Sequence, residues 1–411
     1  MSFVGDVIVY IIMICAFISA LVSIFKKESE FGKQFILGVE TVGTIFLPIA
    51  GIMASAPLMT YFIIHVIAPL YQMICADPSI SATTFIAVDM GGYQLAETLA
   101  QCKESWIMAM TIGYMSGATI VFTIPVALKI LEEKDYKYLA FGTMAGFLMI
   151  PIGVFIASLM ILLTQPYIRE TITTSGIGTY QLHLSYDIII HNLLPLIIIC
   201  GSIASGLYVA PHKMIIGFQK FGLILNGFLK IIFVLCVIEH FTGFGTWIMH
   251  FFELSWFLEP IVADGENLNR ALESAGYISM MLCGAFPMVY LLKKYCMKPI
   301  CFIGQKCNLS TQLMTALIAC SANVLASLSM IDEMKAEDKV RVLAFGVCSS
   351  FLLGDHLAFT ANFQPSLIVI VMISKLSAGV CSLIACQYLI IPLMKRKNIF
   401  DENNICMTKC N

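Results

Sequence analysis

Phe351-Leu352-Leu353-Gly354-Asp355-His356-Leu357-Ala358-Phe359 places a carboxylate and an imidazole side by side inside an apolar run. A carboxylate at membrane depth is costly, and such residues face a polar cavity or a partner group. The adjoining Gly354 and His356 favour that arrangement here. This stretch therefore predicts a polar site inside a membrane protein.

A second stretch far away in the chain, Ala87-Val88-Asp89-Met90-Gly91-Gly92-Tyr93, also places a lone aspartate beside helix-breaking glycine, here a glycine pair. The apolar pattern of residues 80–101 is interrupted at this point. Because broken backbone at membrane depth is tolerated only where it lines a cavity, the segment is predicted to be a discontinuous or re-entrant helix. We expect the two stretches to form one site.

The composition excludes a soluble protein. Of 411 residues, 59% are hydrophobic and 12% are charged, whereas charged residues make up about 25% of soluble domains. The mean hydropathy is +0.88. Apolar segments follow one another at the length needed to cross a bilayer, which predicts an all-α polytopic membrane protein with roughly 10–12 transmembrane or re-entrant helices. The formal net charge of -2 and the lack of a long basic run argue against nucleic-acid binding.

The chain divides most naturally at the polar link of residues 165–182. We predict a first transmembrane half at 1–182, a second at 183–397 and a short polar tail at 398–411. Residues 133–142 resemble residues 337–346, with Leu343 repeating Leu139 at an offset of 204 residues. Internal repeats of this kind are typical of secondary transporters, although chance similarity between two charged turns is the alternative.

Lysines predict which loops face the cytoplasm. Lys293-Lys294, Lys298 and Lys306 indicate one cytoplasmic loop, and Lys395-Arg396-Lys397 indicates a cytoplasmic C-terminus. Three full spans between these stretches would place them on opposite sides. One of the intervening segments is therefore predicted to be re-entrant.

The cysteines predict neither disulfides nor a metal site. Most of the fifteen lie within apolar segments, where free cysteine behaves as a small hydrophobe. Cys296, Cys301 and Cys307 cluster in sequence, and Cys406 and Cys410 lie in the tail, but none forms a CxxC pair with matching histidine spacing. We expect no cofactor.

Four motifs together resemble the ethanolamine-utilisation permease family (EutH). They are Asp89-Met90-Gly91-Gly92, Thr119-Ile120-Val121-Phe122 with Ile124-Pro125-Val126-Ala127-Leu128, Gly284-Ala285-Phe286-Pro287-Met288-Val289, and Gly354-Asp355-His356-Leu357. The resemblance implies a multi-pass protein of the bacterial cytoplasmic membrane that brings in ethanolamine for breakdown by a cobalamin-dependent ammonia-lyase and its shell-enclosed enzymes. The chain departs from the family pattern at Gly117-Ala118-Thr119, at Asn323-Val324, where a double asparagine is usual, and in the tail from Asp401.

Ethanolamine at neutral pH is an ammonium with a hydroxyl two carbons away, so its site needs an anionic or π-rich end and a hydrogen-bonding end. Asp89 and Asp355 are the predicted counter-charges, and Tyr93 or Phe359 could add a cation–π contact. The candidates for the hydroxyl are Thr119, Thr123, Asn323, His356 and Asn362. The predicted hinges are Gly91, Gly92, Pro125, Pro287 and Gly354.

Other interpretations stay open at this point. Asp89 could only cap a broken helix, and Asp355 could only satisfy His356. The chain could be a channel or facilitator, or a secondary transporter for another small amine or an amino acid. An intramembrane enzyme using Asp355 and His356 as an acid–base pair would need a nucleophile or metal ligands, and no such constellation occurs in the sequence. Coupling to a proton is an open alternative because histidine titrates near neutral pH.

Overall fold

The computed structural model describes residues 2–265, 267–306 and 309–396, and these are almost entirely helical. The predicted tail at 398–411, with Cys406 and Cys410, and the side chain of Cys307 lie outside the described residues. The helices are α1 Ser2–Phe25, α2 Glu30–Ala54, α3 Ala56–Phe62, α4 Ala68–Gln72, α5 Pro78–Phe85, α6 Gly92–Leu99, α7 Lys103–Ile112, α8 Ile124–Ile130, α9 Tyr136–Thr164, α10 Tyr186–Val209, α11 Pro211–Thr242, α12 Phe244–Phe251, α13 Ala271–Lys306, α14 Thr311–Ala322, α15 Val324–Leu328, α16 Ala336–Ser349, α17 Asp355–Phe363, α18 Ile368–Ala385 and α19 Ile391–Arg396.

The predicted class, an all-α polytopic membrane protein, is confirmed. Within the described part of the chain, eight helices are long and apolar enough to cross a membrane. Two short strands, β1 Tyr167–Ile168 and β2 Tyr180–Gln181, pair antiparallel in the polar link. The link is therefore a hairpin rather than an extended tether.

The loops gather at two ends of the helix bundle. At the basic end, Lys395 Nζ lies 2.7 Å from Glu337 Oε1, and the turn containing Lys134 lies beside the start of α16. At the acidic end, Glu104 Oε1 accepts hydrogen bonds from the Tyr180 hydroxyl and the His183 N–H, both at 3.1 Å. The positive-inside rule assigns the basic end to the cytoplasm.

Residues 77–101 form a re-entrant hairpin, here called hairpin 1. Helices α5 and α6 are its two legs, and its two ends meet where the Gln101 N–H donates to Asp77 Oδ2 at 2.9 Å. The chain turns at Val88–Met90 and at Gly91, whose φ of +96° favours glycine. The discontinuous helix predicted at residues 80–101 is present, and it enters the helix bundle from the acidic end.

Residues 310–334 form a second hairpin, hairpin 2, which enters from the basic end. Its legs are α14 and α15, its tip is Asn323, and Gln312 Nε2 donates to the Glu333 carbonyl at 3.2 Å where the ends meet. Because this segment does not cross, the stretches near Lys306 and Lys395 lie at the same end. It is the re-entrant segment expected between them.

The prediction of a loop at Lys293-Lys294, Lys298 and Lys306 is wrong. Helix α13 continues without a break to Lys306 and contains all four lysines. Lysine is a good helix former, and its long aliphatic stem lets the ammonium reach the water interface from a membrane helix. A cluster of lysines therefore does not by itself end a helix.

A third interruption of a membrane helix, after those in hairpins 1 and 2, separates α16 from α17. Helices α16 and α17 together are here called the broken span. It runs from the basic end at Ala336 to the acidic end, where Gln364 Oε1 accepts a hydrogen bond from the Arg169 N–H at 2.9 Å. The break itself comprises residues 350–354. The 310-helix Pro365–Leu367 then begins the return to the basic end through α18.

The two segments with similar sequences lie side by side. Lys339 Nζ is 2.7 Å from Asp135 Oδ1 and 2.9 Å from Oδ2, and both side chains are buried. Gly142 and Gly146 let α9 approach α16 closely, because a Cβ atom at either glycine would meet Leu343 or Val347. The division into two halves stays a prediction, but the paired charges hold its two similar segments together.

We predict that Asp135→Asn destabilises the protein, because it leaves the Lys339 ammonium buried without its carboxylate. The expected loss in the free energy of unfolding is about 3 kcal/mol. The control is Glu132→Gln, which removes an exposed ion pair to Lys134 and should change stability little, because water and salt screen an exposed pair. Thermal unfolding of the purified variants in detergent measures both, and equal transition temperatures would contradict the role of the buried pair.

Candidate functional site

The broken span and hairpin 2 complete each other's backbone hydrogen bonds. The Phe351 N–H donates to the Cys320 carbonyl at 3.2 Å, and the Leu353 N–H donates to the Ser321 carbonyl at 2.7 Å. Phe351 has a left-handed φ of +57°, and a Cβ atom at Gly354 would meet the carbonyl oxygen of Ala322. The break is thus held in one conformation, which places Asp355 at the first position of α17.

Hairpin 1 is fixed in a similar way by α7 and the π-helical turns that follow it. Ser116 Oγ donates to the Thr84 carbonyl at 2.7 Å at the end of the first leg. A Cβ atom at Gly117 would meet the Ile86 carbonyl oxygen. Two consecutive π-helical turns, Gly113–Gly117 and Thr119–Thr123, lie here, and π-turns are frequent at functional sites.

A cavity of about 520 Å³ lies where these tips meet. It is bounded by hairpin 1, hairpin 2, the break, and the facing walls of α2, α8 and α13. The residues that line it are Leu37, Glu40, Thr41, Thr44, Ile45, Pro48, Ala87, Asp89, Met90, Ala118, Phe122, Val126, Phe286, Asn323, Leu325, Phe351, Asp355 and His356. The two stretches singled out in the sequence therefore do contribute to one cavity.

Asp89, Asp355 and His356 lie together in the lining, which contains one further ionisable residue, Glu40. His356 Nε2 lies 4.0 Å from Asp89 Oδ2, and its side chain is 1% exposed compared with 19% for Asp89. Neither ring nitrogen has a hydrogen-bond partner among the described residues. Asp355 is half-buried. Its carboxylate makes no hydrogen bond or ion pair with any of the described residues. Such a carboxylate can accept hydrogen bonds from a cationic ligand.

Asn323 contributes from the tip of hairpin 2. Its Oδ1 accepts a hydrogen bond from the Leu325 N–H at 2.9 Å, which caps α15. This leaves the amide NH2 group as a donor at the cavity. The aromatic rings that line the cavity are Phe122, Phe286 and Phe351.

The structure places Tyr93 and Phe359 outside the cavity lining. Both are buried, and their rings meet edge to face with centroids 5.5 Å apart. Tyr93 also stacks on Trp106 at 4.7 Å, and its hydroxyl accepts a hydrogen bond from Gln364 Nε2 at 2.9 Å. These rings fill the space between the cavity and the acidic end.

Three other predicted ligands, Thr119, Thr123 and Asn362, also lie outside the cavity lining. Thr119 Oγ1 donates to the Val347 carbonyl at 3.1 Å. Thr123 Oγ1 is buried, has no partner within the described residues and does not line the cavity. Asn362 Nδ2 donates to the Tyr277 carbonyl at 2.9 Å. Thr119 and Asn362 thus hold helices together.

The predicted hinge residues lie at three kinds of position. Gly91, Gly92 and Gly354 lie at the hairpin 1 tip and the break. Pro125 lies in the first turn of α8, directly after the π-helical turns. Pro287 lies within α13.

Lys375 is a residue that the sequence reasoning missed. It lies in α18 with 1% exposure, and its Nζ donates to the Tyr114 carbonyl at 2.6 Å. The available signal was a single lysine within the long apolar run of residues 366–394, because ionisable residues inside membrane helices usually have a function.

The cavity extends toward the basic end. Leu37 and Glu40 belong to the half of α2 nearest that end, and Leu325 lies on the leg of hairpin 2 that returns to it. A second cavity of about 370 Å³ adjoins the first across Phe122 and is lined in part by Lys129. Toward the acidic end, in contrast, Gln364 hydrogen-bonds to the backbone of Arg169 and closes the route over the buried rings.

Comparisons with known proteins find similar sequences over nearly the whole chain. The family model described as "Ethanolamine utilisation protein, EutH" matches residues 4–389. The "Probable ethanolamine permease EutH" of Escherichia coli is 33% identical over 400 residues, covering 92% of this chain and 94% of that protein. The protein of the same name from Listeria monocytogenes is 30% identical over 403 residues, covering 98% of each chain. No solved structure matches. The names of these relatives indicate a permease rather than an enzyme.

We predict that Gly354→Ala lowers the thermal stability of the protein, because the new Cβ would push the break away from the Ala322 carbonyl. The matched control is Gly276→Ala in α13, where nothing lies within 4 Å of the added atom. That change should leave stability equal or raise it by about 0.5–1 kcal/mol through helix propensity. Thermal unfolding of the two variants compares them, and a Gly354→Ala variant as stable as the control would contradict the proposed close approach.

Proposed function

The chain belongs to the EutH family of ethanolamine utilisation proteins, and from this premise we propose that it is a membrane permease that carries ethanolamine as its ammonium cation toward the cytoplasm. It is a multi-pass bacterial membrane protein. The relatives' names support ethanolamine as the substrate, and the carboxylates in the cavity support binding of its ammonium form.

The observation that carries the proposal is a cavity lined by carboxylates, with Asp89 and Asp355 close to His356 and with Glu40 on α2. Asp355 has no ion pair or hydrogen bond among the described residues. A charge at membrane depth is retained where it serves a ligand or a pathway. Ethanolammonium brings one positive charge with N–H donors, which match a carboxylate. The hydroxyl at its other end can bond to the Asn323 amide or to the free ring nitrogens of His356.

The two hairpins support a carrier with alternating access. They enter from opposite ends and their tips meet at the cavity, so a site at the tips can be exposed to either side in turn, as in other transporters built from discontinuous helices. In this structure the cavity reaches toward the basic end, while buried rings lie on the other side. An open channel would need a continuous polar route, which Tyr93, Trp106 and Phe359 block here.

We predict that Asp355→Asn abolishes saturable ethanolamine uptake, because it removes the counter-charge for the ammonium group. The comparison is Asp187→Asn, which changes an exposed aspartate at the acidic end and should leave uptake unchanged. Uptake of labelled ethanolamine into cells, normalised to the amount of protein in the membrane, is the measurement. Wild-type uptake by Asp355→Asn would refute the proposed site.

We predict that loss of the gene matters most in acid. A primary ammonium such as that of lysine has a pKa of about 10.4, and the nearby hydroxyl lowers that of ethanolamine by roughly one unit. Each unit of acidification therefore cuts the membrane-permeant neutral fraction about tenfold. Passive entry falls with it, whereas the carrier accepts the cation.

Growth on scarce ethanolamine measures this difference. A deletion strain should grow more slowly than its parent at pH 6 and nearly as fast at pH 8. An equal defect at both values would show that the protein does not compensate for the loss of the neutral amine. Abundant ethanolamine should remove the defect.

A further inference from the structure

We propose that Asp89 and His356 form a two-point clamp that selects vicinal amino alcohols, with the ammonium on the Asp89 carboxylate and the hydroxyl on His356 Nε2. The inference rests on the proposed function and deepens it, because it names the substrate class and assigns the hydroxyl to one residue. A cavity of about 520 Å³ does not exclude other small amines by size, and a carboxylate accepts hydrogen bonds from any primary ammonium. Selectivity therefore needs a second polar contact.

The spacing of the two side chains fits a vicinal amino alcohol. His356 Nε2 lies 4.0 Å from Asp89 Oδ2, which is too far for a direct hydrogen bond. In a vicinal amino alcohol the nitrogen and the oxygen are three bonds apart. With bonds of about 1.5 Å and staggered torsions, these two atoms lie roughly 3 to 4 Å from each other. The ammonium and the hydroxyl can therefore form nearly parallel hydrogen bonds, one to each side chain.

The clamp is compatible with Asp355 as a counter-charge. An ammonium has three N–H donors, so the bond to Asp89 leaves two of them available. Asp355 directly precedes His356 in the chain and lines the same cavity. It can therefore bind the ammonium while the hydroxyl stays on the imidazole.

The imidazole of His356 is held in a fixed orientation. Its ring contacts those of Tyr114 and Phe351, with centroid distances of 4.7 and 5.5 Å. The Tyr114 hydroxyl lies 2.7 Å from Thr360 Oγ1, and Thr360 Oγ1 donates to the His356 carbonyl at 2.7 Å. The His356 N–H donates to the Phe351 carbonyl at 3.2 Å. A side chain ordered in advance loses little conformational entropy when a ligand binds.

His356 is the residue that disfavours an amine without a hydroxyl. Its side chain is 1% exposed and lines the cavity, and Nε2 has no hydrogen-bond partner among the described residues. A hydroxyl can both donate and accept a hydrogen bond, so it can bind either tautomer of the ring. A methyl group in the same place would leave Nε2 buried and unpaired, which is unfavourable.

The other polar side chains of the lining are less suited to this selection. Thr41 and Thr44 already donate to carbonyl groups of their own helix, both at 2.8 Å. Asn323 is half-buried, and its Oδ1 already accepts a hydrogen bond from the Leu325 N–H. Glu40 is an exposed carboxylate, which attracts any ammonium. His356 is the lining residue whose burial makes the loss of a hydrogen bond most costly.

The alternative is that Asp89 and His356 lie together only for structural reasons. Replacing a purely structural histidine would change the stability of the protein or the affinity for every amine by the same factor. The clamp, in contrast, predicts a change in the ratio of affinities for two amines that differ only at the hydroxyl. This ratio is therefore the quantity to measure.

The test compares ethanolamine with propylamine, which has a methyl group in place of the hydroxyl. Isothermal titration calorimetry on the purified full chain in detergent at pH 7 gives the two dissociation constants. The wild type should prefer ethanolamine by roughly tenfold to hundredfold. His356→Leu should reduce the preference to within about threefold, because ethanolamine loses its partner whereas propylamine loses nothing.

Further variants locate the effect. His356→Gln keeps an amide that reaches the position of Nε2 and should retain the preference, whereas the shorter side chain of His356→Asn should lose it. Asn323→Ser keeps an oxygen that can cap α15 but removes the amide, and it should retain the preference. Glu40→Gln should change both affinities by the same factor. His191→Leu replaces a histidine outside the cavity and should leave both constants unchanged.

The outcomes are distinguishable. A wild-type preference that His356→Leu abolishes and His356→Gln retains supports the clamp. A wild type that binds both amines equally, or folded His356→Leu and His356→Asn variants with the wild-type ratio, overturns the clamp while leaving the proposed function intact. The wild-type ratio needs no variant to fold, and thermal unfolding checks each variant. A wild-type protein that binds neither amine overturns the proposed function and, with it, this inference.

Discussion

The hydrogen bonds between the break in the broken span and the tip of hairpin 2 are the interaction on which the site depends. In lipid, every backbone N–H and C=O group must find a partner within the protein. The carbonyl groups of Cys320 and Ser321 at the end of α14 find theirs in the N–H groups of Phe351 and Leu353. Because the two interrupted helices satisfy each other, straightening one alone would leave backbone groups of the other without partners in the membrane. The tips therefore stay together, and Asp355 starts a helix at mid-depth.

This backbone arrangement explains why the charged residues are tolerated. Asp89 lies on the turn of one hairpin, Asp355 follows the break, and His356 lies beside them in the cavity lining. Lys375 is buried against the Tyr114 carbonyl. Each would be costly alone in an apolar helix. The cavity gives the two carboxylates a polar environment, and in the proposed function the cationic substrate offsets part of their cost. The same feature that makes the fold costly gives it a cation site.

Sequence reasoning predicted the features that leave a strong local signal. Gly91 and Gly92 after Asp89 indicated hairpin 1, and Asp355 beside His356 indicated the candidate cavity. The sidedness of the lysines predicted one re-entrant segment between Lys306 and Lys395 but did not single out hairpin 2, because Asn323 interrupts its apolar run without glycine or proline. The direction in which a side chain points beyond a broken helix could not be read from helical spacing, so Tyr93 and Phe359 were expected in the cavity, whereas they pack beside it. Lys375 was missed because its partners come from distant parts of the chain.

The central claim is that the meeting tips of two opposed hairpins form a carrier site that opens to each side in turn. Counterflow in proteoliposomes tests it most directly. Vesicles containing the purified protein are loaded with unlabelled ethanolamine and diluted into a trace of labelled ethanolamine. The account predicts that labelled ethanolamine transiently accumulates inside, faster than in vesicles without the internal load. Equal labelled uptake with and without internal ethanolamine would indicate a channel and would contradict the account.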